Sequence, residues 1–204
     1  MTHLRSKADV VAYLRTLIAS DLPLDAASEL AVEEITDGNL NYAFSACERG
    51  SPERAVFLKQ APGFIKCLGE GYKLSSSRAL LEGAVLRIYG ELAPDYVPKL
   101  MHLDEDNRIM VMEMLSGHTL QRSALSSGDW APRHVADVAT FLALTHSRSM
   151  PGSPLAAKLA HGGGPDFSNP DMCAITADYV FTKPLGAADA TNRCSVRIHM
   201  ANRS

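Results

Sequence analysis

A turn of small and polar residues followed by two apolar strands constrains the fold of this chain more than any other part of the sequence. The turn and first strand are residues 37–44 (DGNLNYAF), and the second strand is 56–60 (VFLKQ). Apolar residues alternate along the first segment, as in a strand that buries one face, and the second segment begins with a continuous apolar run. Lys59 ends an apolar run, so its ammonium group must reach water or an anionic partner. The two segments predict antiparallel strands with a cation close to a polar turn.

Three residues of the turn, Gly38, Asn39 and Asn41, together with Lys59, predict a site for nucleotide phosphates. In kinase-type sites, backbone and amide donors of a turn lie over the phosphates, and a lysine reaches them from the adjoining strand. Lys59 has a simpler interpretation as a surface residue at the end of a strand. The order of the elements that follow it favours the nucleotide site.

A carboxylate and a linker strand follow Lys59 in the order of a kinase nucleotide site. Glu82 lies on a predicted helix, and the last strand ends in Glu113, Met114 and Leu115. In this interpretation, the backbone of these last three residues binds the adenine edge. Two alternatives stay open. Glu82 could pair with Arg78, four residues earlier, as an ordinary exposed helix pair, and residues 113–115 could simply end an edge strand.

The apolar pattern predicts an α+β fold with five antiparallel strands and one inserted helix in the first 115 residues. Ser6 can cap a first helix, and Ser75 to Ser77 can cap a second helix that runs to about Tyr89. The predicted buried stripe of the second helix is Leu81, Val85 and Ile88, and a further helix begins at Pro132. The predicted strands lie near residues 30–35, 40–46, 55–60, 97–103 and 108–114. The predicted loops are 48–52, 69–72 and 150–170.

Composition excludes several classes of function. The 204 residues are 46% hydrophobic, with a formal net charge of -3 and no clustered basic patch, which argues against nucleic-acid partners. The N-terminus has no long uncharged core, so we expect neither a signal peptide nor a membrane span, and a cytoplasmic location. Four widely spaced cysteines and scattered histidines predict no protein-held metal.

Six segments together resemble one family, the S-methyl-5-thioribose kinases. They are 34–42 (EITDGNLNY), 58–61 (LKQA), 66–70 (KCLGE), 111–115 (VMEML), 167–176 (FSNPDMCAIT) and 181–184 (FTKP). The resemblance implies a protein-kinase-like N-lobe, the five-stranded antiparallel sheet with one helix, plus the helical start of a truncated C-lobe. We expect residues 1–115 to form the N-lobe, 116–184 the incomplete C-lobe, and 185–204 an aberrant or disordered tail.

The resemblance also implies ATP and Mg²⁺ as cofactors and methylthioribose as substrate, phosphorylated on its primary hydroxyl in methionine salvage. It places Asn41 and the turn on the ATP phosphates, Lys59 directly on them, and Glu113 to Leu115 on the adenine. Five positions depart from the family pattern. Met114 stands where an acidic residue is expected, Tyr72-Lys73 stand where Trp-Pro is expected, and Ala177 and Lys183 also replace expected acidic residues.

Phosphoryl transfer needs an aspartate at the attacking hydroxyl and oxygen ligands for Mg²⁺. The family places them on a His-Gly-Asp loop and an Asp-Pro-Glu segment, and this sequence contains neither. The run His102-Leu103-Asp104 falls in a predicted hairpin, so no catalytic residue is assigned. Three interpretations remain: a kinase completed by a separate C-lobe, a pseudokinase-like nucleotide-binding module, or an inactive fragment. A homodimer is a further possible partner. His161-Gly162-Gly163-Gly164 suggests an esterase oxyanion hole, but no G-x-S-x-G is present.

Overall fold

The computed structural model describes residues 2–17, 22–25, 27–129, 132–161 and 167–182. The chain divides into two compact units, residues 1–165 and 166–204, and each is described by itself. The predicted tail, 185–204, lies outside the described residues. The division into an N-lobe of residues 1–115 and a C-lobe segment of 116–184 stays a prediction.

The fold is α+β, and its main element is the predicted five-stranded antiparallel sheet. The strands are β1 (Leu30–Glu34), β2 (Tyr42–Glu48), β3 (Ser51–Gln60), β4 (Phe64–Ile65), β5 (Gly69–Lys73), β6 (Leu100–Asp104) and β7 (Ile109–Glu113). The order in the main sheet is β1-β2-β3-β7-β6, and β4 and β5 form a separate hairpin. This sheet with its packed helix is the arrangement of a kinase-like N-lobe, so the predicted fold class is confirmed.

Six α-helices lie among the described residues. They are α1 (Lys7–Leu17), α2 (Arg78–Leu92), α3 (Gln121–Ser127), α4 (Pro132–Ser149), α5 (Pro154–His161) and α6 (Pro170–Ala177). The second unit is described by α6 and the π-helical turn Asp178–Thr182 that follows it. None of the helices in the described ranges combines the length and the apolar character that a bilayer crossing requires.

The sheet buries apolar side chains on both faces because residues alternate sides along each strand. One face packs against α1, and its fully buried members include Val10, Leu14, Phe44, Val56, Leu58, Ile109 and Val111. The other face packs against α2 through Ala61, Ala79, Met110 and Met112, with Phe57, Leu86, Leu100 and Leu103 around them. Phe57 and its neighbours Val56 and Leu58 therefore point to opposite sides of β3.

The start of α1 is capped as the sequence predicts. The Ser6 hydroxyl accepts a hydrogen bond from the Asp9 backbone N–H at 3.2 Å, and Asp9 Oδ2 accepts from the Ser6 backbone N–H at 2.8 Å. This reciprocal pair satisfies two donors at the first turn of the helix. The hydrogen bonds from Ser6 and Arg5 lower the pKa of the exposed Asp9 carboxyl.

The predicted buried stripe of α2 is wrong. Leu81, Val85 and Ile88 are only half-buried, and the buried positions include Ala79 and Gly83. The helix lies so close to the sheet that a Cβ on Gly83 would stand 2.8 Å from Leu103 Cδ2. Small residues therefore face the strands, and the larger apolar residues lie to their sides. Ser77 precedes the helix, but its side chain makes no capping hydrogen bond.

Three segments predicted as loops are shorter or more regular than expected. The hairpin between β2 and β3 is a tight turn at Arg49-Gly50, with Glu48 opposite Ser51 and Gly50 at φ 91°. A positive φ at this position suits glycine, which has no Cβ. Residues 69–72 lie in β5, and the loop predicted over 150–170 contains α5. Short elements of this kind have too few residues for a clear period.

Helix α4 begins at Pro132 as predicted, and one side of it packs on α2. The rings of Phe141 and Tyr89 meet edge to face with centroids 5.3 Å apart, and Thr145 is buried. Val135, Val138 and Leu142, which recur at helical spacing, are exposed. With Leu125 of α3 they line an apolar groove.

Candidate nucleotide-binding site

Lys59 lies on the central strand of the sheet, where the alternation of β3 turns it toward α2. It stands opposite Ala43 of β2 and Met110 of β7. Leu58 before it and Gln60 after it point to the other face, where Leu58 packs in the α1 core and Gln60 binds the N-terminal segment. The strand therefore presents a single cation on the face that α2 covers.

Glu82 of α2 is the partner of Lys59. The ammonium nitrogen lies 2.6 Å from Glu82 Oε1 and 2.8 Å from Oε2. The side chains keep 25% and 37% of their exposure, so the pair is neither buried nor free in water. An ammonium group has three donors, and two contacts to Glu82 leave at least one N–H for another anion.

Arg78 lies one helical turn before Glu82, but the two do not form the exposed helix pair weighed above. The guanidinium is buried, and its hydrogen bonds go to Asn41 and to backbone carbonyls. Burial lowers the pKa of Arg78, and the negative charge of Glu82 opposes that effect. Glu82 is therefore directed to Lys59, while Arg78 is directed to the turn that precedes β2.

The predicted phosphate turn lies at the start of β2 and presents backbone donors. Gly38 and Asn39 are exposed, and among the described residues their N–H groups have no hydrogen-bond partner. The carbonyl of Asn39 accepts from the backbone N–H of Cys67 at 2.9 Å, which ties the turn to the β4–β5 hairpin. Unpartnered backbone N–H groups on a turn form an anion-binding surface.

An exposed ion pair joins this turn to the helical part of the same unit. Arg122 of α3 contacts Asp37, which immediately precedes Gly38. Both side chains are more than half exposed, and pairs of this kind contribute little to stability. The contact nevertheless places α3 beside the turn.

The linker after β7 brings the three predicted adenine-binding residues into one short segment. Glu113 is held by Lys99, whose carbonyl accepts from the Glu113 N–H at 2.9 Å. Met114 accepts from the N–H of Ser116. Within the part of the chain that the structure describes, the N–H and carbonyl of Leu115 have no partner. Leu115 therefore offers the donor and acceptor that an adenine edge requires, and its side chain is 46% exposed.

The run His102-Leu103-Asp104 lies on the edge strand of the sheet, two strands from Lys59. His102 and Asp104 lie on β6, and Asp104 binds Tyr13 and Asn107 on the α1 side of the structure. Across the described ranges, no three His, Cys, Asp or Glu side chains lie close enough to hold a metal ion. The described residues therefore offer donors for an anion at Lys59 and no cluster of three metal ligands.

Sequence reasoning assigned Asn41, Lys59 and Glu82 to one site, and the structure brings all three to α2. It missed the role of Arg78, because an arginine four residues before a glutamate is typical of an exposed pair. The one available signal was its position at the start of a helix whose next residues are apolar.

Comparisons with known proteins give one consistent result. The chain is 35% identical to the methylthioribose kinase of Yersinia enterocolitica over 186 residues, which is 89% of this chain and 44% of that protein. It is 35% identical to that of Bacillus cereus strain G9842 over 82% of this chain and 42% of the relative. It is 32% identical to the methylthioribose kinase of Klebsiella pneumoniae, over 93% of this chain and 46% of that protein. No protein-family model matches. The chain is thus a relative of the methylthioribose kinases, and it spans less than half of their length.

Proposed function

We propose that this chain is the nucleotide-binding part of an ATP-dependent kinase that phosphorylates methylthioribose. The observation that carries the proposal is the contact of Lys59 with Glu82, in a chain similar to methylthioribose kinases. Kinases hold ATP phosphates with a lysine that pairs with a helix carboxylate.

The described residues offer hydrogen-bonding groups that would suit the phosphates and the adenine of the nucleotide. Lys59 keeps at least one N–H for a phosphate oxygen, and the exposed N–H groups of Gly38 and Asn39 supply more. Asn41 adds a side-chain amide beside them. Leu115 supplies the backbone groups for adenine, next to Glu113 and Met114. Mg²⁺ would be bound to the phosphates of the nucleotide, which supply the hard oxygen ligands that it prefers.

The chain by itself is proposed to bind ATP without transferring a phosphoryl group. Transfer needs an aspartate at the acceptor hydroxyl, and the 204 residues contain no His-Gly-Asp run. The same observation favours the second candidate, a pseudokinase-like module that binds nucleotide without chemistry.

Calorimetric titration with Mg-ATP tests the nucleotide site. We expect wild-type protein to bind ATP and Lys59→Ala to bind about tenfold more weakly or worse, since a hydrogen bond to a charged group contributes about 1.5–3 kcal/mol. Arg54→Ala is the matched control, because it removes an ion-paired cation from the same strand about 16 Å away. Equal binding by wild type and Lys59→Ala would contradict the proposal.

ADP release with Mg-ATP and methylthioribose tests whether the chain by itself transfers a phosphoryl group. We expect no release above the background set by Lys59→Ala. Turnover that is present in wild type and lost in this variant would show a complete enzyme and would overturn the proposal that the chain only binds.

The apolar groove of α3 and α4 is the proposed contact with a complementing C-lobe. Leu125, Val135, Val138 and Leu142 leave an apolar surface on this side of the first unit, and such surfaces are typical of interfaces. We propose that polypeptide equivalent to the rest of the relatives covers it, and a homodimer is the alternative. Sedimentation of the chain alone, and after mixing with the remaining part of the Yersinia enterocolitica relative, distinguishes the two. A monomer in both experiments would exclude both partners.

A further inference from the structure

Arg78 is a buried cation whose hydrogen bonds all go to neutral oxygen atoms. It is 7% exposed, and its guanidinium donates to the carbonyls of Leu40, Pro62, Leu74 and Ser75 and to the side chain of Asn41. A buried charge is costly unless its donors are satisfied. The carbonyls come from three segments that meet at the start of α2, so Arg78 holds these segments together.

Two of the Arg78 donors converge on one atom of Asn41. Nε lies 3.1 Å and Nη2 lies 2.9 Å from Asn41 Oδ1. Because both contacts come from N–H groups, the amide oxygen must face Arg78 and the amino group must face away. Among the described residues, Asn41 Nδ2 has no hydrogen-bond partner. A fixed amide thus presents two free N–H donors next to Gly38 and Asn39.

Helix α2 therefore controls two parts of the candidate site. Arg78 and Glu82 are four residues apart, which places them on neighbouring positions of one helix face. Arg78 reaches the turn before β2, and Glu82 reaches Lys59 on β3. A shift of α2 would move the Asn41 amide and the Lys59 ammonium together.

We propose that Arg78 is a positioning residue for phosphate binding. It fixes the Asn41 side chain so that Nδ2 donates to a phosphate oxygen of the nucleotide, while Arg78 stays buried behind it. This inference rests on the proposed function, because it assigns a phosphate to the space in front of the turn.

Titration of two variants with ATP and with adenosine tests the inference. Arg78→Lys keeps the charge but loses the planar fork that holds Oδ1. Asn41→Asp keeps an oxygen for Arg78 and replaces the free donors by an acceptor. We expect both variants to bind ATP about tenfold more weakly, the loss of one charge-assisted hydrogen bond. Adenosine has no phosphates and should bind with unchanged affinity.

The controls separate positioning from a general effect on the fold. Arg87→Lys changes an exposed arginine of the same helix and should bind ATP as wild type does. Equal weakening of ATP and adenosine binding by Arg78→Lys would assign a purely structural role and overturn the inference, as would wild-type ATP affinity in Asn41→Asp. If Arg78→Lys does not fold, Asn41→Asp still decides. Wild-type protein that binds neither ligand would instead refute the proposed function, and the inference with it.

Discussion

The ammonium group of Lys59 lies 2.6 and 2.8 Å from the carboxylate oxygens of Glu82, although the two residues are 23 positions apart in the chain. The contact joins β3 to α2 across the face of the sheet that carries the candidate site. The β4–β5 hairpin lies between β3 and α2 in the sequence, so the pair joins two elements that are not consecutive in the chain.

A double-mutant cycle should detect this pair. For Lys59→Met, Glu82→Gln and the double variant, we expect a coupling free energy of about 0.5–1 kcal/mol, since both side chains keep a quarter or more of their exposure. Urea unfolding of the four proteins measures it. The more exposed pair of Arg5 and Glu70 is the control and should give a smaller coupling. Equal coupling in the two cycles would contradict the expectation.

Gln60 should be more important for stability than its polar side chain suggests. It is 3% exposed; Oε1 accepts from the Leu4 N–H at 2.7 Å, and Nε2 donates to the carbonyls of Thr2 and Asn107. Gln60→Ala leaves these backbone groups unpaired, so we expect the free energy of unfolding to fall by about 2–3 kcal/mol. Gln121→Ala, at the exposed start of α3, should change it by less than about 0.5 kcal/mol. An equal decrease in the free energy of unfolding for the two variants would show that the hydrogen bonds of Gln60 do not stabilise the fold.

Period-two alternation predicted the sheet because it is a local property of the chain. The burial of residues 55–60 follows this alternation, whereas residues 109–112 form a continuous apolar run that is buried on both faces of the sheet. Ser6 and Asp9 predicted the start of α1 in the same way, since the two members of a capping pair are only three positions apart in the sequence.

The features of the fold and the site that the sequence did not predict depend on contacts between segments that are far apart in the chain. The buried side of α2 was mispredicted because it follows from the contact of Gly83 with Leu103, which no helical period records. Arg78 donates its hydrogen bonds to oxygens that lie up to 38 residues away in the sequence. The order of elements in kinase sites placed Lys59 and Glu82 in one site, and the direct contact between them is seen only in the structure.

Two glycines of α2 should respond differently to alanine. Around Gly90 nothing lies within 4 Å of an added Cβ, so Gly90→Ala should raise the free energy of unfolding by about 0.5–1 kcal/mol through helix propensity. Gly83→Ala should gain less or lose stability, because its Cβ would stand 2.8 Å from Leu103 Cδ2. Thermal and urea unfolding measure the difference. Identical effects would show that α2 moves away from β6 without cost.

The free energy of unfolding should fall at low pH, in part because of the surroundings of Asp104. Burial by itself raises the pKa of Asp104, but hydrogen bonds from Asn107 and Tyr13 and the charge of His102 outweigh it and leave the pKa below its ordinary value. A carboxyl with a lowered folded-state pKa contributes stability above about pH 4, and that stability is lost as the pH falls through the folded value. We therefore expect Asp104→Asn to lose less stability than wild type between about pH 4 and pH 2. Part of the pH dependence should remain, because the pKa of Asp9 is also lowered.

Urea unfolding across this range measures how steeply the free energy of unfolding changes with pH. Asp106→Asn, at an exposed position of the same turn, should retain the wild-type slope. A slope in Asp104→Asn equal to that of wild type would place the acid sensitivity elsewhere in the chain.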